Sequence, residues 1–197
     1  MRAGLAGRLG ERGFQIVYSI VAIATFVMIV QAYRGMPPEP PLWAVDDPLW
    51  ILASLLVLIA SILFIGSLIG NPALPAPNAA AAARAEPRGV FAITRHPMMW
   101  GFALWAAVHL TVLAAPKAMV FDGAILVLAL FGAAGQDRKK AAHMGEAWHE
   151  WTAQTAFIPF SRGVGNPGAV ALIGGTLLFL IATWAHPVPA GIWRWVA

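Results

Sequence analysis

Residues 49–69 read LWILASLLVLIASILFIGSLI and contain no charged side chain. A helix needs about 20 mostly apolar residues to cross the roughly 30 Å hydrocarbon core of a bilayer, and this stretch supplies 21. The rest of the chain agrees, since hydrophobic residues make up 59% and charged residues 11% of its 197 positions, with a mean hydropathy of +0.71. So few polar groups cannot cover a soluble globule, which excludes soluble enzymes and disordered chains. The sequence therefore predicts an all-α integral membrane protein whose partner is the lipid bilayer.

Four more apolar segments join this one. The predicted spans cover, approximately, residues 14–33, 49–69, 98–115, 119–134 and 169–185. We expect a membrane domain over residues 1–162, which holds the first four spans, and a last span with a short outer tail over residues 163–197.

The connections between the spans differ in character. Residues 71–89 are rich in Ala and Pro and predict a flexible linker. Residues 137–155 place Met144, Trp148 and Trp151 on one helical face, which predicts an amphipathic helix on the inner leaflet, with both tryptophans as interface anchors. The Gly66-x-x-x-Gly70 pattern favours close helix packing.

The positive charges predict the orientation. With five spans, ten of the thirteen Lys and Arg residues fall on one side of the membrane. Those ten are Arg2, Arg8, Arg12, Arg84, Arg88, Arg95, Arg138, Lys139, Lys140 and Arg162. Because cytoplasmic loops carry the excess of positive charge, we expect a multi-pass protein of the bacterial inner membrane with a cytoplasmic N-terminus and a periplasmic C-terminus. The net charge of +4 forms no patch dense enough for nucleic acid, and the absence of cysteine excludes disulfides.

Residues 89–101, GVFAITRHPMMWG, form the most informative polar segment. Pro97 disfavours helical backbone at His96 and suits the first turn of a helix, so Arg95 and His96 should lie at the cytoplasmic mouth of the third span. Such a pair can hold a carboxylate, phosphate or propionate, and an imidazole can bind a metal or move protons. Alternatively, Arg95 extends to the lipid headgroups and His96 only caps the helix.

His109 lies inside the predicted third span, about 16 Å from its start. An ionisable group at this depth is a functional hypothesis by default. The structural alternative is a neutral histidine hydrogen-bonded to Asp122, which should lie at a similar depth. His143 and His149 fit a solvated polar face, whereas Glu146 lies on the same side of the membrane as the arginine–histidine pair.

Several short motifs occur together along the chain. They are Leu9-Gly10 leading to Tyr18-Ser19, Asn71-Pro72, the string from Gly89 to Trp105 followed by His109-Leu110, and Gly145-Glu146-Ala147-Trp148 running to Phe157-Ile158-Pro159-Phe160. In combination they resemble the NnrU family of bacterial membrane proteins. That family is linked to nitrogen-oxide metabolism in denitrifiers. It is related to plant zeta-carotene isomerase, a heme b membrane enzyme with histidine among its iron ligands.

The resemblance implies roles for particular residues. His96 would be the leading heme-iron ligand and His109 a second heme-iron candidate, while Arg95 would meet the heme propionates and Glu146 would brace Arg95. Family members usually begin with one more hydrophobic helix that carries a histidine, so the resemblance also implies either such a helix upstream of Met1 or the loss of that ligand in this version.

Three functions therefore stay open. The first is a b-type heme-binding protein, isomerase-like on a lipophilic polyene or active in denitrification. The second is a membrane methyltransferase, since the Arg-His-Pro segment and Glu146 are similar to a region that holds S-adenosylmethionine in isoprenylcysteine methyltransferase-like enzymes. The third is a non-enzymatic accessory protein of respiratory complexes. The sequence alone assigns no catalytic residue, substrate or oligomeric state.

Overall fold

The computed structural model describes residues 2–196, except for the side chains at positions 2, 3, 6 and 11. Every regular element in that range is helical, which confirms the predicted all-α class. The side chain of Arg2, one of the predicted inner-side cations, and Ala197, the end of the predicted outer tail, lie outside the described residues. The chain divides into two compact units, residues 1–40 and residues 41–197.

The first unit consists mainly of helix α1, Arg2–Gly35. Gly10 interrupts this helix with φ 70° and ψ 162°, a backbone conformation that glycine adopts readily because it lacks a Cβ. From Arg12 to Gly35 the helix is long and apolar enough to cross a membrane. This stretch contains the whole of the predicted first span.

The second unit contains the other helices. They are α2 (Asp47–Gly66), α3 (Ala79–Arg84), α4 (Pro97–Val112), α5 (Pro116–Met144), α6 (Glu146–Gln154), α7 (Ala169–Trp184) and α8 (Trp193–Val196), with one 3₁₀ turn, Gly89–Ala92, before α4. By length and composition α2 and α5 can cross a membrane. Helices α4 and α7 have 16 residues each, or about 24 Å. The membrane-protein prediction is thus supported by three long apolar helices, while the count of five spans stays a prediction.

Helix α2 is packed closely by its neighbours at small residues. A Cβ added to Gly175 of α7 would lie 2.5 Å from the Cα of Ile62 in α2, so the two backbones touch. Gly66 is likewise closed in by the side chain of Val90, whereas Gly70 faces open space. The predicted Gly-x-x-x-Gly contact therefore exists at its first glycine, which is the general use of small residues between membrane helices.

The predicted amphipathic helix over residues 137–155 is wrong as a single element. Helix α5 continues to Met144, and Gly145, with φ 53° and ψ −126°, separates it from α6. The apolar face of α6 does exist, but Trp148 and Trp151 are only 1% and 2% exposed. They pack inside the protein, where Trp151 lies 5.8 Å from the ring of Phe91. Neither tryptophan is therefore a membrane-interface anchor.

The segment that covers this face is the one predicted to be a flexible linker. Helix α3 packs on α6, and Ala83 is fully buried in the same cluster as Trp148. Before it, the Asn71 side chain accepts a hydrogen bond of 2.9 Å from the Ala73 N–H and fixes a turn. The alanine run is a good helix former whose small side chains allow close approach, so residues 71–84 form packed structure rather than a free linker.

Candidate functional site

The junction before α4 is held against the segment that follows α6. The hydroxyl of Thr94, which is fully buried, donates to the carbonyl oxygen of Phe157 at 2.8 Å. The Arg95 N–H donates to the Ala156 carbonyl, also at 2.8 Å. His96 caps α4 with non-helical backbone (φ −119°, ψ 51°), and Pro97 begins the helix, as the sequence predicts. The segment that carries Arg95 and His96 is thus fixed at one end of α4 by one side-chain and one main-chain hydrogen bond.

Arg95 forms an ion pair with Asp137 of α5. Its Nη2 lies 2.7 Å and its Nε 3.0 Å from Asp137 Oδ2, and its Nη1 donates to the Thr155 carbonyl at 3.2 Å. The two side chains are only 14% and 20% exposed, and the guanidinium lies 5.2 Å from the ring centroid of Phe157. The expectation that Glu146 braces Arg95 is wrong, because Glu146 is exposed at the start of α6 and Asp137 takes this role.

His96 is enclosed by the same helix. Its Nε2 lies 2.8 Å from Asp137 Oδ1, and its Nδ1 lies 3.2 Å from Gln136 Oε1. The Gln136 amide nitrogen donates to the Ala73 carbonyl at 3.4 Å, which turns the amide oxygen toward the imidazole. Both ring nitrogens therefore lie within hydrogen-bond distance of a side-chain oxygen of α5. The side chain of His96 has no exposed surface.

We call four of these residues the inner cluster: Arg95, His96, Gln136 and Asp137. The inner cluster joins three parts of the chain. It links the start of α4, the end of the apolar part of α5 and, through Ala73, the segment before α3. Because its donors and acceptors are already paired with one another, the inner cluster is best described as a buried polar network that holds these parts of the chain together. His96 has no free nitrogen to offer an iron atom, which argues against the ligand role that the resemblance implies for it.

His109 has a different environment, within α4. Its Nδ1 lies 2.8 Å from the Trp105 carbonyl one helical turn earlier, and its ring stacks on the Trp105 indole at 4.0 Å between centroids. Among the described residues, no hydrogen bond joins His109 to Asp122 or engages the His109 Nε2. The predicted pair with Asp122 is therefore replaced by a bond to the histidine's own helix.

A second imidazole lies beside His109. The ring of His186, just after α7, has its centroid 6.2 Å away, with 50° between the ring planes. Both residues are half-buried. No group of three or more metal-ligating side chains occurs in the range that the structure describes. A metal here would have to bring most of its own donors, as a heme iron does.

Sequence reasoning missed Gln136, Asp137 and His186. For the first two a signal existed, because these adjacent polar residues end the apolar run of the predicted fourth span on the same side as Arg95 and His96. For His186 no local signal existed. It lies in the predicted outer tail, and only the packing of α7 brings it near His109.

Fold and site together define a helical membrane protein with a buried arginine–histidine–aspartate cluster at one end of α4 and a histidine pair further along it. The chain belongs to the NnrU family, whose profile, described as NnrU protein, matches residues 1–194.

Among curated proteins, the chain is similar to the 15-cis-zeta-carotene isomerase, chloroplastic, of Zea mays. The two are 32% identical over 111 residues, which is 51% of this chain and 30% of that protein. The match thus covers less than a third of the relative's length. No solved structure matches the chain.

Proposed function

We propose that this NnrU-family member is a membrane protein that binds a b-type heme through His109 and acts as an isomerase on a lipophilic polyene. The observation that carries the proposal is the environment of His109, an ionisable residue within an apolar helix whose Nε2 has no hydrogen-bond partner among the described residues. The similarity to an enzyme named 15-cis-zeta-carotene isomerase supports the reaction class.

The donor arrangement at His109 fits heme iron. Metal-binding histidines usually donate one ring N–H to a backbone carbonyl, which fixes the tautomer and leaves the other nitrogen with its lone pair. The Nδ1–Trp105 contact of 2.8 Å has this form. His96 lacks it, because its two nitrogens meet Gln136 and Asp137. The proposal therefore moves the iron from His96, where the sequence resemblance puts it, to His109.

The protein's own side chains supply orientation. Trp105 stacks on the His109 ring and the Trp105 carbonyl holds its Nδ1, so the imidazole is fixed in direction from both its face and its edge. When bound, the heme would supply an iron centre whose redox state can change. The apolar surroundings of α4 suit a substrate that partitions into the bilayer.

The proposal includes the topology predicted from the charges. Helices α4 and α7 would complete five spans with the cytoplasmic N-terminus expected for a bacterial inner-membrane protein. The inner cluster would then lie at the cytoplasmic side, and the histidine pair toward the periplasmic side.

The test is heme content after expression in heme-replete cells and purification in detergent. We expect a Soret band and about one heme per chain for the wild type, its loss in His109→Ala, and its retention in His149→Ala. His149 is a matched control because it is an exposed histidine on α6. A wild-type protein that is monodisperse and carries no heme, even after titration with hemin, would overturn the proposal.

The reaction class has its own test. In a carotenoid-producing bacterial host that accumulates a cis-polyene, we expect the wild type to convert it to the trans isomer, as measured by chromatography of lipid extracts. His109→Ala should not convert it. A heme-loaded protein that leaves every tested polyene unchanged would refute the isomerase part while the heme part stands.

A further inference from the structure

We infer that the outward face of α5 binds an anionic phospholipid, whose phosphate is held by Arg138 and Lys139 and whose acyl chains lie along the apolar part of the same face. This inference goes beyond the proposed function, because it depends neither on heme nor on the isomerase reaction. It assigns a partner to two charged side chains that the inner cluster does not use.

Helix α5 has a buried face and an exposed face. The buried residues recur at helical spacing, and they are Ala118, Asp122, Ala129 and Ala133. On the other side of the helix, Val120, Leu128 and Phe131 are 75%, 74% and 71% exposed. Because a stripe of large apolar side chains on a membrane helix is a surface for lipid, we expect acyl chains to cover this face.

Arg138 and Lys139 continue the exposed face toward the end of α5. Arg138 lies seven residues after Phe131 and Lys139 eleven after Leu128, spacings that return to nearly the same side of an α-helix. Both cations are exposed. Gly135 lies between them and the apolar stripe, and a Cβ added there would meet nothing within 4 Å. A lipid chain can therefore approach the helix backbone next to the two cations.

The position of the two cations along α5 fits the level of lipid headgroups. Helix α5 begins at Pro116, and Arg138 follows 22 residues later, which corresponds to about 33 Å of helix. The hydrocarbon core of a bilayer is roughly 30 Å thick. With Pro116 at one boundary of the core, Arg138 and Lys139 lie at the opposite boundary, where the phosphates are.

Neither cation has a partner in the part of the chain that the structure describes. The ion pairs and side-chain hydrogen bonds of that part include neither Arg138 nor Lys139. The next residue, Lys140, instead donates to the Pro72 carbonyl at 3.3 Å. Two unpaired cations at the end of an apolar stripe complement a molecule with an anionic head and apolar tails, which describes an anionic phospholipid.

Two other basic residues provide a matched control. Arg84 lies 3.6 Å from Glu150, and Arg88 lies 3.0 Å from Glu86. The charge predictions place both arginines on the same side of the membrane as Arg138. Because each already has an acidic partner, they should contribute little to lipid binding, although their removal changes the net charge by the same amount.

The experiment adds phosphatidylglycerol or phosphatidylcholine to the full chain in an uncharged detergent and counts bound lipid by native mass spectrometry. We expect the wild type to prefer phosphatidylglycerol. Each cation near an anionic lipid surface strengthens binding about fivefold, so replacing Arg138 and Lys139 together by Gln should weaken phosphatidylglycerol binding about 30-fold. Replacing Arg84 and Arg88 together by Gln should leave it at the wild-type level.

A second variant tests the role of charge directly. The exchange Arg138→Lys with Lys139→Arg keeps both charges at exposed positions and should retain phosphatidylglycerol binding. Loss of binding in this exchange variant would overturn the inference, because phosphate attraction by charge requires only that both cations remain.

Other outcomes also overturn the inference. Equal binding of the two lipids by the wild type would show that the face does not recognise anionic headgroups. Equal weakening in the two double Gln variants would show attraction by net charge rather than by Arg138 and Lys139. Displacement of the lipid by millimolar inorganic phosphate would show that the two cations bind a free anion. None of these results bears on heme content, so the proposed function would stand.

Discussion

Removing the carboxylate of Asp137 should destabilise the protein more than any surface charge change. Asp137→Asn leaves Arg95 and His96 facing each other without their shared anion, and these side chains are 14% and 0% exposed. Breaking a buried ion pair by removing one partner costs about 3–5 kcal/mol. Asparagine keeps one acceptor oxygen, so we expect the lower end of that range, about 3 kcal/mol.

The assay is thermal unfolding in detergent, followed by loss of the monodisperse gel-filtration peak. For a chain of this length, 1 kcal/mol shifts Tm by about 2–4 °C, so Asp137→Asn should lower Tm by about 6–12 °C. The matched control is Glu150→Gln, which removes an acidic partner from the exposed pair with Arg84, 3.6 Å long and about half-exposed on both sides. Such pairs contribute about 0–1 kcal/mol, so its Tm should shift by no more than about 4 °C.

A double variant separates pairing from other effects of the substitution. If Asp137→Asn destabilises the protein by leaving a charge uncompensated, Arg95→Gln should lower the free energy of unfolding less in the Asp137→Asn variant than in the wild type. The difference, which is the coupling energy, should be about 1–3 kcal/mol. Equal Tm values for Asp137→Asn and Glu150→Gln, or strict additivity of the two inner-cluster substitutions, would refute the account of the inner cluster.

Two further predictions concern packing and hydrogen bonding. Gly175→Ala should lower Tm by several degrees, because its Cβ would meet the backbone of Ile62. The control Gly123→Ala, where no described atom lies within 4 Å of the added Cβ, should keep or slightly raise Tm. Equal effects of the two substitutions in the same unfolding assay would contradict the close contact between α2 and α7. Thr94→Val should cost about 1–3 kcal/mol, since it removes the buried donor to the Phe157 carbonyl, and a Tm within 1 °C of the wild type would count against that bond.

The apolar helices were predictable because their signal is local. A run such as residues 49–69 leaves its backbone few alternatives to a helix, whatever packs beside it. The break at Pro97 was equally local, because proline restricts the preceding residue and suits a first helical turn. His96 therefore lies where the sequence predicts, at the start of α4.

The partners within the site were not predictable because they depend on which surfaces meet. The apolar face of α6 was expected to lie on lipid, but residues 71–84 pack against Trp148 and cover this face instead. Asp137 was given no role in the site, because the sequence does not show that α5 continues past it and that its side chain lies against Arg95. Charge and periodicity identify a buried or polar face, and only packing decides what covers it.

The most direct test of the account compares the heme content of His109→Ala with that of His96→Gln. Both are measured as heme per monodisperse chain, so that loss of folded protein is not counted as loss of ligand. The account predicts that His96→Gln retains heme near the wild-type level and that His109→Ala has almost none. The opposite result, with heme lost from His96→Gln and kept by His109→Ala, would contradict it.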